Sequence, residues 1–173
     1  MKNTSEKWKQ SYLRMAKEAA THSKCVAHQV GAILVKEGRI ISTGINGTPI
    51  GYENCVEVME KRDDGKFYHA DTSVIHREWS RQHEIHAEMN ALSFAAKSGI
   101  STDGATLYCT HQPCNDCMKN LIQAGVIAIY FSENFSKTVI DTQMIDKYFT
   151  GGYALVIDEE ANPTTYAVGC KRK

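Results

Sequence analysis

The chain has 173 residues, 42% of them apolar and 23% charged, and its twenty basic side chains balance twenty acidic ones. This length buries a core without disulfide staples and predicts a single domain over 1–173. A zero formal charge argues against a dedicated nucleic-acid binder, and no apolar run is long enough to span a bilayer. The first residues lead into an amphipathic stretch, not an apolar leader, so a cytoplasmic location is expected. In that reducing setting six cysteines point to metal binding or catalysis more than to disulfides.

Trp8, Tyr12, Met15, Ala16 and Ala19 recur at helical spacing, which predicts a helix over about 5–22. Val30–Val35 and Arg39–Ile45 read as two strands of a hairpin, with Lys36-Glu37-Gly38 as its turn. Asn46–Gly51 is dense in turn formers, and no period emerges from there to about residue 75. The stretch at about 52–80 therefore reads as an inserted loop, and a loop this long is functional or held by something. Ala87–Lys97 is helical, with Gly99 as its stop, and Ala105–Thr110 is a strand. Cys114–Ala124 is helical and ends at Gly125, and Val126–Phe131 is the continuous apolar run of a strand covered on both faces. A helix over 138–148, a strand over 153–157 and a polar tail complete the chain. This α-β-β-α-β-α-β-α-β order predicts a mixed α/β sheet with helices on its faces.

His86-Ala87-Glu88 opens one helix, and Pro113-Cys114-Asn115-Asp116-Cys117 opens the next. One His and two Cys form a zinc ligand set that keeps a fourth position for water or substrate. Parallel helices on one sheet face present their N-termini side by side. Those ends carry unpaired N–H groups and partial positive charge, which favour thiolates. Residues two apart in a helix point about 200° apart, so His86 and Glu88 converge only if His86 caps its helix. A closed structural zinc knot is the alternative. It wants a fourth protein ligand, and no second CxxC or Cys-His pair lies close by in sequence.

H-x-E followed by P-C-x-x-C resembles the zinc-dependent cytidine/deoxycytidylate deaminase superfamily. The resemblance covers roughly residues 8–158 and is strongest to the deoxycytidylate branch, its bacteriophage members above all. It is carried by Ser23-Lys24-Cys25, Val30-Gly31-Ala32, Gly44–Pro49, Glu78-Trp79-Ser80, Glu84–Ala91 and Gly104–Tyr108. It implies a three-layer α/β/α cytidine-deaminase-like fold with a five-stranded mixed sheet. It also implies zinc on His86, Cys114 and Cys117, with Glu88 moving a proton from water to ring N3 and then to the amine leaving C4. The implied reaction is dCMP to dUMP and ammonia, with dCTP, or adenosine in tRNA, as alternative substrates.

The resemblance further places Asn46 on the sugar and Ala87 at the substrate. It offers Ser23 and Lys24 as phosphate candidates and matches Phe135 to a position near the base. Asn46 also reads as a turn residue, Lys24 as a partner of a helix dipole, and Phe135 as an ordinary pocket wall. A second, structural zinc on Cys25, Cys55, His76 and Glu84 is implied, with His69 and His83 as competing ligands. Read alone, these are two buried thiols, a surface His and a surface carboxylate. A homohexamer activated by dCTP and inhibited by dTTP is implied as well, with effector contacts at Gly47, Thr48 and Pro49. His111-Gln112 depart from the apolar residues that relatives tend to carry there, which bears on substrate choice. A non-catalytic zinc domain is the competing class, and Glu88 discriminates, since a structural zinc needs no carboxylate beside it.

Overall fold

The computed structural model describes residues 5–59, 74–133, 141, 143, 147–148, 153–156 and 165–168. The chain runs α1 (Glu6–Ala20), β1 (Gly31–Lys36), β2 (Arg39–Ile45), α2 (Cys55–Val58), α3 (Val74–His83), α4 (Ala87–Lys97), β3 (Thr106–His111), α5 (Asn115–Gln123), β4 (Ala128–Glu133), β5 (Tyr153–Val156) and β6 (Thr165–Val168). The expected helix over 138–148 falls largely outside the described residues, as do Phe135, His69 and the tail thiol Cys170.

The strands form one mixed sheet in the order β2-β1-β3-β4-β6-β5. β3 and β4 are parallel, and the other pairings are antiparallel. The sheet thus has six strands where five were expected. The extra strand is a four-residue segment in the stretch read as a polar tail, too short to show a period, and it pairs with both β4 and β5. The β1–β2 hairpin closes through Glu37 and Gly38, both at positive φ (53° and 77°), the backbone of a two-residue type I′ turn.

Alternation along the strands builds a core on each face. Ala32, Leu34, Leu107, Cys109, Ile129 and Phe131 meet Ala87, Ala91, Met118 and Leu121 of α4 and α5. Ile33, Val35, Tyr108 and Tyr130 turn the other way onto Tyr12, Leu13 and Ala16 of α1. The result is the three-layer α/β/α arrangement.

The stretch without a sequence period holds two helices. α2 is a single turn whose start is marked by Asn54 and Glu57, the Glu57 carboxylate accepting from the Asn54 backbone N–H at 2.7 Å. α3 escapes a hydrophobicity reading because its burial is inverted. His76 is buried, while Val74 and Ile75 are exposed.

Candidate active site

α4 and α5 lie on the same sheet face, and each begins at a metal-ligand candidate. His86 is the N-cap of α4 and Cys114 the N-cap of α5, both with extended backbone (ψ 150° and 167°). His86 therefore stands before helical geometry begins, which lets its ring and the Glu88 side chain face one cavity, as the spacing argument required. Both line that cavity together with Asn46, Ala87, Gln112 and Cys114.

β2 fixes the height of α4. Its buried residues Ser42 and Gly44, with Asn46 just beyond, alternate along one side. A Cβ on Gly44 would overlap the Ala87 carbonyl and the Ala91 N, so only glycine lets the helix sit this close. Ser42 Oγ donates to Ala91 O (2.6 Å), and Asn90 Nδ2 donates to Ile45 O (2.6 Å). Gly47 and Ile85 exchange backbone hydrogen bonds (3.2 and 2.8 Å) immediately before His86. Sequence reasoning missed Ser42 and Asn90. The period-two run of small and polar residues along β2 was the available signal.

His86 Nδ1 lies 3.3 Å from Cys117 Sγ and 3.6 Å from Cys114 Sγ. Tetrahedral zinc bonds to sulfur and nitrogen span about 3.6 Å between such ligand atoms, so the three residues fit zinc. His86 is exposed, Cys114 half-buried and Cys117 buried, which leaves one side open to a ligand. Cys114 is pulled down to about 4, first by a hydrogen bond from Cys117 and then by His86, against the cost of burial. The same contact drives the Cys117 thiol up, and hydrogen bonding to Cys114 raises His86 to about 9. A cation here replaces protons on nearby ligands, the usual chemistry of thiolate–imidazole sites. Glu88 is 4% exposed, and burial raises its carboxyl above the ordinary range, which suits a group that takes and returns a proton.

Asn46 is 8% exposed and held on three sides. Its Oδ1 accepts from Val30 N (2.8 Å) and Ser23 Oγ (2.7 Å), and its Nδ2 donates to His28 O (2.8 Å). This fixes which end of the amide is oxygen. Ser23 is buried, and its hydroxyl donates to Asn46. Lys24 is exposed on a shallow surface with Val26 and Val56, and it is not among the residues that line the catalytic cavity, though Cys25 lines both. Thr48 and Pro49 form a turn through Tyr52, ending in the fully exposed Ile50.

Cys25, Cys55 and His76 converge in a second cluster, all three buried, with Cys25 Sγ 3.5 Å from His76 Nε2. A hydrogen bond from Cys55 lowers Cys25 to about 4 and raises Cys55. Glu84 borders this cluster. Burial raises its carboxyl, and Ser80 Oγ donates to it at 2.5 Å. His83 stacks on Tyr52 instead, ring centroids 5.2 Å apart. Cys109 is buried in the core, as its place in a strand suggested.

A three-ligand His/Cys/Cys centre at paired helix N-termini, with a buried carboxylate beside it, defines a metal-dependent hydrolytic enzyme of the three-layer deaminase fold. The sequence pattern of the cytidine and deoxycytidylate deaminase zinc-binding region matches residues 6–133, and the chain belongs to that family. It is 38% identical to the deoxycytidylate deaminase of Enterobacteria phage T4, over 72% of this chain and 77% of that one. It is 33% identical to the deoxycytidylate deaminase of Saccharomyces cerevisiae, over 74% of this chain and 38% of the yeast protein. The crystal structure of dCMP deaminase from cyanophage S-TIM5 in complex with dCMP and dUMP is similar at 37% identity. Its TM-score is 0.62, over 79% of this chain and 88% of that one.

Proposed function

We propose that this protein hydrolyses dCMP to dUMP and ammonia at the cavity formed by His86, Glu88, Cys114 and Cys117. The observation that carries the reading is the buried Glu88 carboxylate facing an open three-ligand cluster. Phage relatives of that name and specificity support it.

His86, Cys114 and Cys117 would hold zinc, which would supply the Lewis acidity that makes water a nucleophile near neutral pH. Glu88 accepts one proton from water and passes it to ring N3; it then takes the remaining proton from the hydroxyl now bonded to C4 and delivers it to the amine as the C4–N bond breaks. The C4–O bond replaces it, and Glu88 ends as it began. Asn46, locked by Val30, Ser23 and His28, presents its amide to the sugar, and Ala87 walls the base at the start of α4. Ser23 serves by holding Asn46.

The proposal extends to a second, structural zinc on Cys25, Cys55, His76 and Glu84. It extends to a cytoplasmic homohexamer activated by dCTP and inhibited by dTTP. Exposed Ile50, Tyr52, Val74 and Ile75 support an oligomer. The Gly47–Ile85 hydrogen bonds give an effector at Gly47, Thr48 and Pro49 a short route to His86. Among the described residues no helix is long and apolar enough to cross a membrane.

The test is ammonia release from dCMP, dCTP, deoxycytidine and a tRNA substrate, each with and without dCTP or dTTP as effector. Strong preference for dCMP is expected, sharpened by dCTP. Turnover of tRNA with no turnover of free nucleotides would overturn the reading.

A further inference from the structure

Gln112 is 6% exposed, and its Oε1 is, among the described residues, the buried side-chain polar atom without a hydrogen-bond partner. It lines the catalytic cavity two residues before Cys114. Leaving a buried acceptor unmatched is costly, and in a native structure it calls for a reason.

The other polar groups around the cavity are engaged. Asn46 is held by Ser23, Val30 and His28. His111 meets Thr110 Oγ1 at 3.0 Å and Glu133 at 3.2 Å. Glu84 accepts from Ser80. The Gln112 backbone is fixed as well, its N–H donating to Glu133 O at 2.9 Å, with Pro113 following. The side chain therefore stays at the cavity wall while its terminal amide keeps a soft torsion. An amide offers an acceptor at one end and donors at the other.

We propose that Gln112 is a specificity-determining residue, its side-chain amide hydrogen-bonding the exocyclic group at C4 of the pyrimidine. Oε1 accepts from the 4-amino group of the substrate, and after a half-turn Nε2 donates to the 4-carbonyl of the product. This rests on the proposed deamination of dCMP.

The test uses zinc-loaded full-length protein and the near-isosteric Q112M, with Q112L as a second variant. Kcat/KM is measured for dCMP and for N4-methyl-dCMP, which has lost one N–H, and dUMP binding is measured by calorimetry. Removing an orphaned acceptor predicts a Tm equal to or above that of the parent, whereas a structural role predicts a fall. The variants are expected to lose about tenfold in kcat/KM on dCMP and less on the methylated substrate, so that the ratio between the two contracts at least threefold. They are also expected to bind dUMP more weakly.

Equal losses on both substrates, or no loss on dCMP, would overturn the assignment and leave the proposed function standing. A parent enzyme that neither turns over dCMP nor binds dUMP would remove both.

Discussion

The two cysteine–histidine clusters use similar side chains in opposite settings. Cys25, Cys55 and His76 are all buried, and they come from a connecting segment, a one-turn helix and α3. His86, Cys114 and Cys117 run from exposed to buried, and they sit at the starts of two helices packed on the sheet. Structural zinc sites are closed, and catalytic ones keep a position open. Burial, more than ligand chemistry, separates the two proposed roles. The clusters share a neighbourhood, because Cys25, His76 and Glu84 line the same cavity as Glu88. A metal on the first cluster would therefore shape the cavity of the second.

The largest expected effect tests the open site. Glu88→Gln lowers kcat by about 10³-fold or more, with zinc content unchanged by elemental analysis. Gly44→Ala comes next, because the new methyl meets the backbone of α4. It destabilises by about 1–3 kcal/mol, the range for overpacking, and activity falls further than stability because Glu88 rides on that helix. Denaturant melts and kcat on the same preparation separate the two effects.

Asn46→Ala removes a buried amide with three partners and costs about 1–3 kcal/mol, read as a raised KM and a lowered denaturation midpoint. Cys55→Ser acts on the closed cluster, and zinc per chain falls from two to one while dCMP turnover drops far less than in Glu88→Gln. The smallest signal is protonic. His86 is raised to about 9 and Cys117 is also raised, so both hold protons at pH 7. Zinc added to chelated protein then releases about two protons at this centre, and affinity weakens as pH falls. Calorimetry in two buffers of different ionisation heat counts them.

Much of the open site was legible in the sequence because its chemistry is local. Spacing alone demanded that His86 cap a helix if Glu88 was to join it, and the structure places it there. The hairpin was equally plain from Glu37-Gly38 between two apolar runs. α3 was hidden because its buried face is polar, a pattern that hydrophobic periodicity passes over. β6 was hidden because four residues carry no period and its stability comes from two neighbours distant in sequence. Ser23 shows the limit of motif reading. The motif offered it as a phosphate candidate and gave no sign that its hydroxyl meets Asn46, 23 residues away. Gln112 stood out as a departure, but only burial without a partner shows why it matters.

The most direct test of this account measures ammonia release from dCMP by Glu88→Gln and Cys55→Ser proteins of known zinc content. The account predicts that Glu88→Gln carries two zinc ions per chain and is inactive, while Cys55→Ser carries one and remains active. An active Glu88→Gln enzyme, or a Cys55→Ser protein that keeps both zinc ions, would contradict it.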